Sequence, residues 1–171
     1  MPAAPADKVD VEVLATEGAS FERRYDLDRF ARLADVIAAP GGEAVARFRF
    51  LHLAEDVPGC ELSVEAEASL RCERCLEIFR QPLRSQARLA FVAGEADEGR
   101  VPDDCEAVTL GPDRASLSEL VEDELLLSLP VVPLHGEGTA CAAERAVAAG
   151  DAAGTAETHR PFAGLKELLK S

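Results

Sequence analysis

Two runs of strict alternation flank a pair of cysteines near the middle of the chain. Cys60, Leu62, Val64, Ala66, Ala68 and Leu70 fall on one parity, and Glu61, Ser63, Glu65, Glu67, Ser69 and Arg71 on the other. Side chains alternate across a strand, so this run is a half-buried strand with an acidic outer face. Beyond Cys72 and Cys75, the residues Phe79, Leu83, Ala87, Leu89 and Phe91 share a parity against Arg80, Arg84, Gln86 and Arg88. The pattern predicts a β-hairpin in which residues 60–71 pair antiparallel with residues 79–91 and the two thiols sit at the tip. Glu61, Glu65 and Glu67 then lie beside the row Arg80, Arg84 and Arg88, where opposite charges on neighbouring strands contribute roughly a few tenths of a kcal/mol each.

The rest of the chain adds shorter elements. Val9, Val11 and Val13 alternate with Asp10 and Glu12 and predict a short strand; Phe21, Arg23 and Tyr25 predict its return after a turn at Gly18. Asp28 is placed to cap a helix over residues 29–38 with Phe30, Leu33, Ala34 and Ile37 on one stripe, stopped by Pro40, Gly41 and Gly42. The arginines 23, 24, 29 and 32 read as a solvated face, with a small RNA-facing patch as the alternative. Residues 43–53 alternate again, Phe48 and Phe50 against Arg47 and Arg49, and Pro58 with Gly59 turns the chain into the strand at Cys60. Residues 93–104 read as an acidic loop and residues 105–110 as a last short strand. Ser116 and Glu119 match a capping box. The helix it opens runs to about Leu129, before Pro130, with Leu117, Leu120, Val121, Leu125 and Leu127 toward the sheet and Glu122, Asp123 and Glu124 mostly outward.

Short turns between strands favour antiparallel pairing, because parallel neighbours need a crossover of about a dozen residues. The expected fold class is therefore α+β: an antiparallel β-sheet of short hairpin-linked strands packed by one or two helices, followed by a flexible acidic C-terminal region. The expected organisation is one domain over residues 1–135, an acidic Ala/Gly-rich linker over 136–160, and a short amphipathic helix over 161–171. Pro161 opens that helix, and Phe162, Leu165, Leu168 and Leu169 line one side.

Composition narrows the function. The chain has 171 residues, 47% hydrophobic but only 5% aromatic and without Trp, so a single core must rest on Leu, Val and Ala. The net charge of −14 is uneven: by count, residues 93–159 carry −12 and residues 160–171 carry +2. Phosphate affinity comes from Lys and Arg, so this balance counts against broad, nonspecific RNA binding and leaves room for a local basic face. The first residues lack the basic and apolar regions of a signal peptide, and no apolar run approaches the roughly 20 residues that span a bilayer. A cytoplasmic protein without a membrane partner is expected. Five cysteines at uneven spacing then read as reduced thiols or metal ligands rather than as a disulfide framework.

Two residues between Cys72 and Cys75 let both sulfurs turn toward one point. A closed structural zinc site needs four ligands; His135 and Cys141, spaced H-x5-C, could supply the other two if the chain folds back. The alternative is a pair of reduced thiols at a hairpin tip. Thiol oxidoreductase chemistry fits less well, because a low-pKa C-x-x-C sits at a helix N-terminus and this pair lies between strands. Cys60 and Cys105 lie on apolar strand patterns and read as small buried hydrophobes. No hydrolase, metalloprotease or phosphate-loop motif occurs, and His52 reads as a satisfied strand residue rather than a base. No enzymatic activity and no small-molecule substrate are expected. Arg71 and Arg74, at the tip, are the best candidates for RNA or partner contact together with Cys72 and Cys75.

The segment LRCERCLEIF over residues 70–79 resembles the signature of the YceD family, named for accumulation of large-subunit ribosomal RNA. LVEDELLLSLPVVPLH over residues 120–135 and PFAGLKELLK over residues 161–170 resemble its later blocks, in the same order. The resemblance implies a non-enzymatic factor in synthesis, processing or stability of 23S ribosomal RNA. It would act on that RNA or its precursor particle, directly or through a basic ribosomal protein. A zinc-knuckle adaptor for RNA or protein outside ribosome assembly is the second reading. Many relatives carry further cysteines in the C-terminal part, where this chain has only Cys141.

Overall fold

The computed structural model describes residues 6–53, 56–94, 99–110, 115–136 and 141. The chain divides into two units, Met1–Leu134 and His135–Ser171. The strands and helices with assigned bounds all lie in the first. In chain order they are β1 (Lys8–Val9), α1 (Val11–Thr16), β2 (Ser20–Asp26), a one-turn 3-10 helix (Leu27–Arg29), α2 (Ala31–Ala34), β3 (Glu43–His52), β4 (Pro58–Arg71), β5 (Ile78–Val92), β6 (Glu106–Thr109), β7 (Ala115–Ser116) and α3 (Leu117–Leu127). The expected linker and C-terminal helix lie outside the described residues, apart from Gly136 and Cys141.

The fold is α+β. Five strands form one sheet in the order β2-β3-β4-β5-β6, and β1 pairs with β7 beside it. The hairpin of β4 and β5 dominates, with Cys60 opposite Leu89 and Arg71 opposite Ile78. At 14 and 15 residues these two strands each run only two residues beyond the expected 60–71 and 79–91. Their inward parity, with that of β3, puts Phe48, Phe50, Leu62, Val64, Leu83, Leu89 and Phe91 in the core. The scarce aromatics are concentrated there: Phe21 stacks on Phe48 at 5.2 Å between centroids, and Phe50 on Phe91 at 6.4 Å. Helix α3 closes this face with Leu117, Leu120, Val121 and Leu125. Each such side chain contributes about 1.5–3 kcal/mol by leaving water.

The outward parity is an ion-pair ladder. Arg24 meets Glu43 at 2.7 Å, Arg47 meets Glu22 at 3.1 Å, Arg80 meets Glu67 at 3.3 Å and Arg88 meets Glu61 at 3.9 Å. These exposed pairs are worth about 0–1 kcal/mol each, and their larger effect is to leave few cations on the sheet for phosphates. Arg23 and Arg32 are also engaged. The Arg23 guanidinium lies over the Tyr25 ring at 5.8 Å and pairs with Asp7, and Arg32 pairs with Glu122 and Asp123.

Five local expectations are corrected. Residues 11–16 are helical, not a strand: Val11 and Ala15 bury one helical face, and the Asp10 carboxylate caps the turn by accepting from the Val13 N–H at 3.3 Å. Asp28 does not cap a ten-residue helix. It accepts from the Gly41 N–H at 2.7 Å instead, and the chain makes only the 3-10 turn and the four-residue α2. Pro58 and Gly59 lie within β4 rather than in a turn. Strand β6 pairs parallel to β5, with residues 93–105 as the crossover that parallel pairing requires.

The fifth correction concerns α3. Glu122 and Glu124 are buried, whereas Leu127 is 71% exposed. The Glu122 carboxylate accepts from the Arg32 and Leu33 backbone N–H groups at 2.7 and 3.2 Å and from the Arg32 guanidinium at 2.9 Å. It thus caps α2 from another helix, which offsets the desolvation of its charge. Glu124 accepts from the Ser85 hydroxyl. At the start of α3, Ser116 accepts from the Glu119 N–H at 3.4 Å, as half of a capping box does. Asp7 accepts from the Leu117 N–H through its carbonyl and from the Ser118 N–H through its carboxylate.

Candidate functional site

Strand β4 ends at Arg71 and β5 begins at Ile78, so residues 72–77 form the tip. Two backbone bonds close it: Cys72 N–H donates to the Glu77 carbonyl and Leu76 N–H to the Cys72 carbonyl, both at 2.9 Å. This turn needs a left-handed residue directly after the second cysteine, and Leu76 takes it at φ 64°. A bulky side chain at positive φ costs about 1–2 kcal/mol. The Leu76 side chain is 64% exposed and recovers little of that by packing. Leu76→Gly is therefore expected to stabilise the protein by about 0.5–1 kcal/mol after glycine's own entropy is deducted, read from urea midpoints. A destabilised variant would show that Leu76 packs against something in solution.

The main chain after α3 is fastened to this tip. Glu73 N–H donates to the Pro133 carbonyl at 2.9 Å, two residues before His135. Ligand atoms of Cys72, Cys75, His135 and Cys141 all lie within 4.8 Å of one another. Cys72 and Cys141 are buried, and Cys75 and His135 half-buried. Three sulfurs and one imidazole are among the donor sets of structural zinc. Bonds of about 2.3 Å to sulfur and about 2.0 Å to nitrogen place tetrahedral ligands roughly 3.5–3.8 Å apart. A set no wider than 4.8 Å closes on one such ion with shifts of about 1 Å. The residues fit a closed structural site better than a catalytic one, since four protein donors leave no position for a substrate.

The remaining candidates are placed as follows. Arg71 is exposed and Arg74 half-buried, on either side of Cys72, with Glu73 and Glu77 exposed beside them. Cys60 is buried in the sheet core, and burial pushes its thiol up to about 12, so it stays protonated and inert. Cys105 is half-buried in a small second cluster with Val57, Ala90 and Val92. His52 lies 3.4 Å from the Thr16 hydroxyl and 3.3 Å from Asp56, a half-buried strand residue with polar neighbours. The thiol pair occupies a turn between strands, without the helix N-terminus that lowers a redox cysteine's pKa. Sequence reasoning did not find Leu76, whose strain has no signal in residue type, or Glu122, whose partners come from a different helix. Among the described residues no helix is long and apolar enough to cross a membrane.

An α+β chain with a two-thiol hairpin tip, set among four clustered metal-type donors, is thus defined by fold and site. The family model described as large ribosomal RNA subunit accumulation protein YceD matches residues 60–169, and the chain belongs to that family. The chain is 27% identical over 112 residues to the large ribosomal RNA subunit accumulation protein YceD of Haemophilus influenzae (strain ATCC 51907 / DSM 11121 / KW20 / Rd). That match covers 65% of this chain and 64% of the relative. No solved structure matches the chain.

Proposed function

We propose that the protein is a non-enzymatic cytoplasmic factor that supports accumulation of 23S ribosomal RNA. The observation that carries this reading is the family match, whose span from residue 60 to residue 169 includes Cys72, Cys75, His135 and Cys141. In this reading zinc held by those four residues fixes the tip, and Arg71 and Arg74 present their guanidinium forks to phosphate. The sheet's outer arginines contribute little, because Arg24, Arg47, Arg49, Arg80 and Arg88 already face carboxylates. With net −14 overall, direct RNA contact is small and local. Stronger association runs through a basic ribosomal protein or a precursor particle.

Crosslinking in living cells, read for both RNA and protein, tests this. The expected products join tip residues 71–75 to 23S precursor RNA or large-subunit proteins. Purified protein should bind isolated RNA weakly, with log affinity falling against log salt by only about 0.7 per phosphate contact. Crosslinks confined to other RNAs or to unrelated proteins would favour an adaptor outside ribosome assembly instead.

A further inference from the structure

Strand β6 is an edge of the sheet, and a groove of about 490 Å³ runs between it and α3. The Leu110 N–H donates to the Val92 carbonyl at 2.8 Å, which fixes the parity of this strand. By alternation, Val108 bonds toward β5, while the N–H and C=O groups of Ala107 and Thr109 point to the open edge. Among the described residues no strand pairs with that edge. Among the described residues the groove walls carry Val108, Leu120 and the 71%-exposed Leu127, with Glu106, Asp123 and Glu124 and no basic residue.

We propose that this edge takes an extended basic segment of a partner protein as a sixth strand, with its lysines or arginines against Glu106 and its apolar residues against Val108 and Leu127. An open row of backbone donors and acceptors selects a polypeptide, since main-chain pairing is what an added strand offers. The acidic walls select its charge and disfavour RNA. Asp123 is already paired with Arg32 at 2.7 Å, whereas Glu106 is exposed near Glu124 and pairs with no cation among the described residues. Burial first, and then Glu106 and Asp123, push the Glu124 carboxyl above its ordinary range, against the Ser85 hydroxyl that pulls it down. A partner's cation at Glu106 relieves that repulsion. The inference does not depend on a metal at the hairpin tip.

The test uses the full chain and a short fluorescent peptide of alternating valine and lysine. Saturable binding is expected. It should weaken about tenfold or more when alternate peptide nitrogens are methylated, and likewise in Thr109→Pro and Glu106→Lys. Unchanged thermal melts would show that these variants fold. Hydrogen exchange at Ala107 and Thr109 should slow when peptide is added. Equal binding of the methylated peptide would overturn the proposal, as it would reduce the effect to unspecific charge attraction. So would no binding, or exchange at these amides left unchanged by peptide. Protection of both amides in the peptide-free protein would also overturn it, assigning the edge to this chain itself or, in a dimer, to a second copy.

Discussion

Stripping metal from the purified protein with a strong chelator is expected to lower its melting temperature by roughly 10 °C or more. Structural zinc contributes an apparent ~10–16 kcal/mol in small peptides that cannot fold without it. Here the sheet has its own core of buried Phe, Leu and Val, so only part of that energy reaches global unfolding. Even about 3 kcal/mol of it shifts the midpoint by about 10 °C for a chain of this size. The hairpin tip should open first, because its turn holds Leu76 in a strained conformation at the end of the hairpin, beyond the paired strands. Native mass spectrometry should find one zinc per chain. Cys75→Ala should melt low and be insensitive to chelator, whereas Cys60→Ala should lose stability yet retain both the metal and the chelator response. An unchanged melt together with no bound metal in the purified protein would remove zinc from the reading and leave two reduced thiols.

Period-two alternation over more than ten residues made the β4–β5 hairpin legible, since a slip by one residue would turn the apolar set of either strand, Leu62 and Val64 or Leu89, out of the core. Short elements were not legible in the same way. Val9, Val11 and Val13 alternate, but Val11, Leu14 and Ala15 also fit a helical face, and the Asp10 cap decides between the two periods. Residues 29–38 carry a helical stripe, yet Asp28 is drawn to Gly41 and the helix contracts. The direction of β6 depends on the crossover, not on its own residues. Burial of Glu122 and Glu124 is invisible to periodicity, because the Arg32 and Leu33 N–H groups and Ser85 that satisfy them lie far away in sequence. At the candidate site, Cys72 and Cys75 are marked by their spacing. His135 and Cys141 are marked by their H-x5-C spacing, but nothing in it says that they meet the thiol pair; the Glu73–Pro133 bond draws the chain before His135 to the tip.

Deleting the gene is expected to lower 23S ribosomal RNA relative to 16S, most clearly under fast growth and in the cold, where assembly is slow relative to demand. Complementation separates the parts of the proposed mechanism. Cys72→Ala should fail to restore the ratio, because it removes a buried donor from the four-residue set and loosens the turn carrying both tip arginines. Arg74→Ala should fail with its fold intact, since removing one phosphate fork costs about 1–2 kcal/mol, or roughly five- to thirtyfold in affinity. Leu76→Gly should restore the ratio, because it relaxes the turn without touching a donor or a cation. Arg80→Ala should restore it as well, because that side chain faces Glu67 in the sheet ladder. Normal ratios in the deletion strain under both conditions would refute the assignment to 23S RNA accumulation. Tight, steeply salt-dependent binding to naked RNA would instead refute the small local contact while leaving the pathway standing, because only many phosphate contacts give a steep slope.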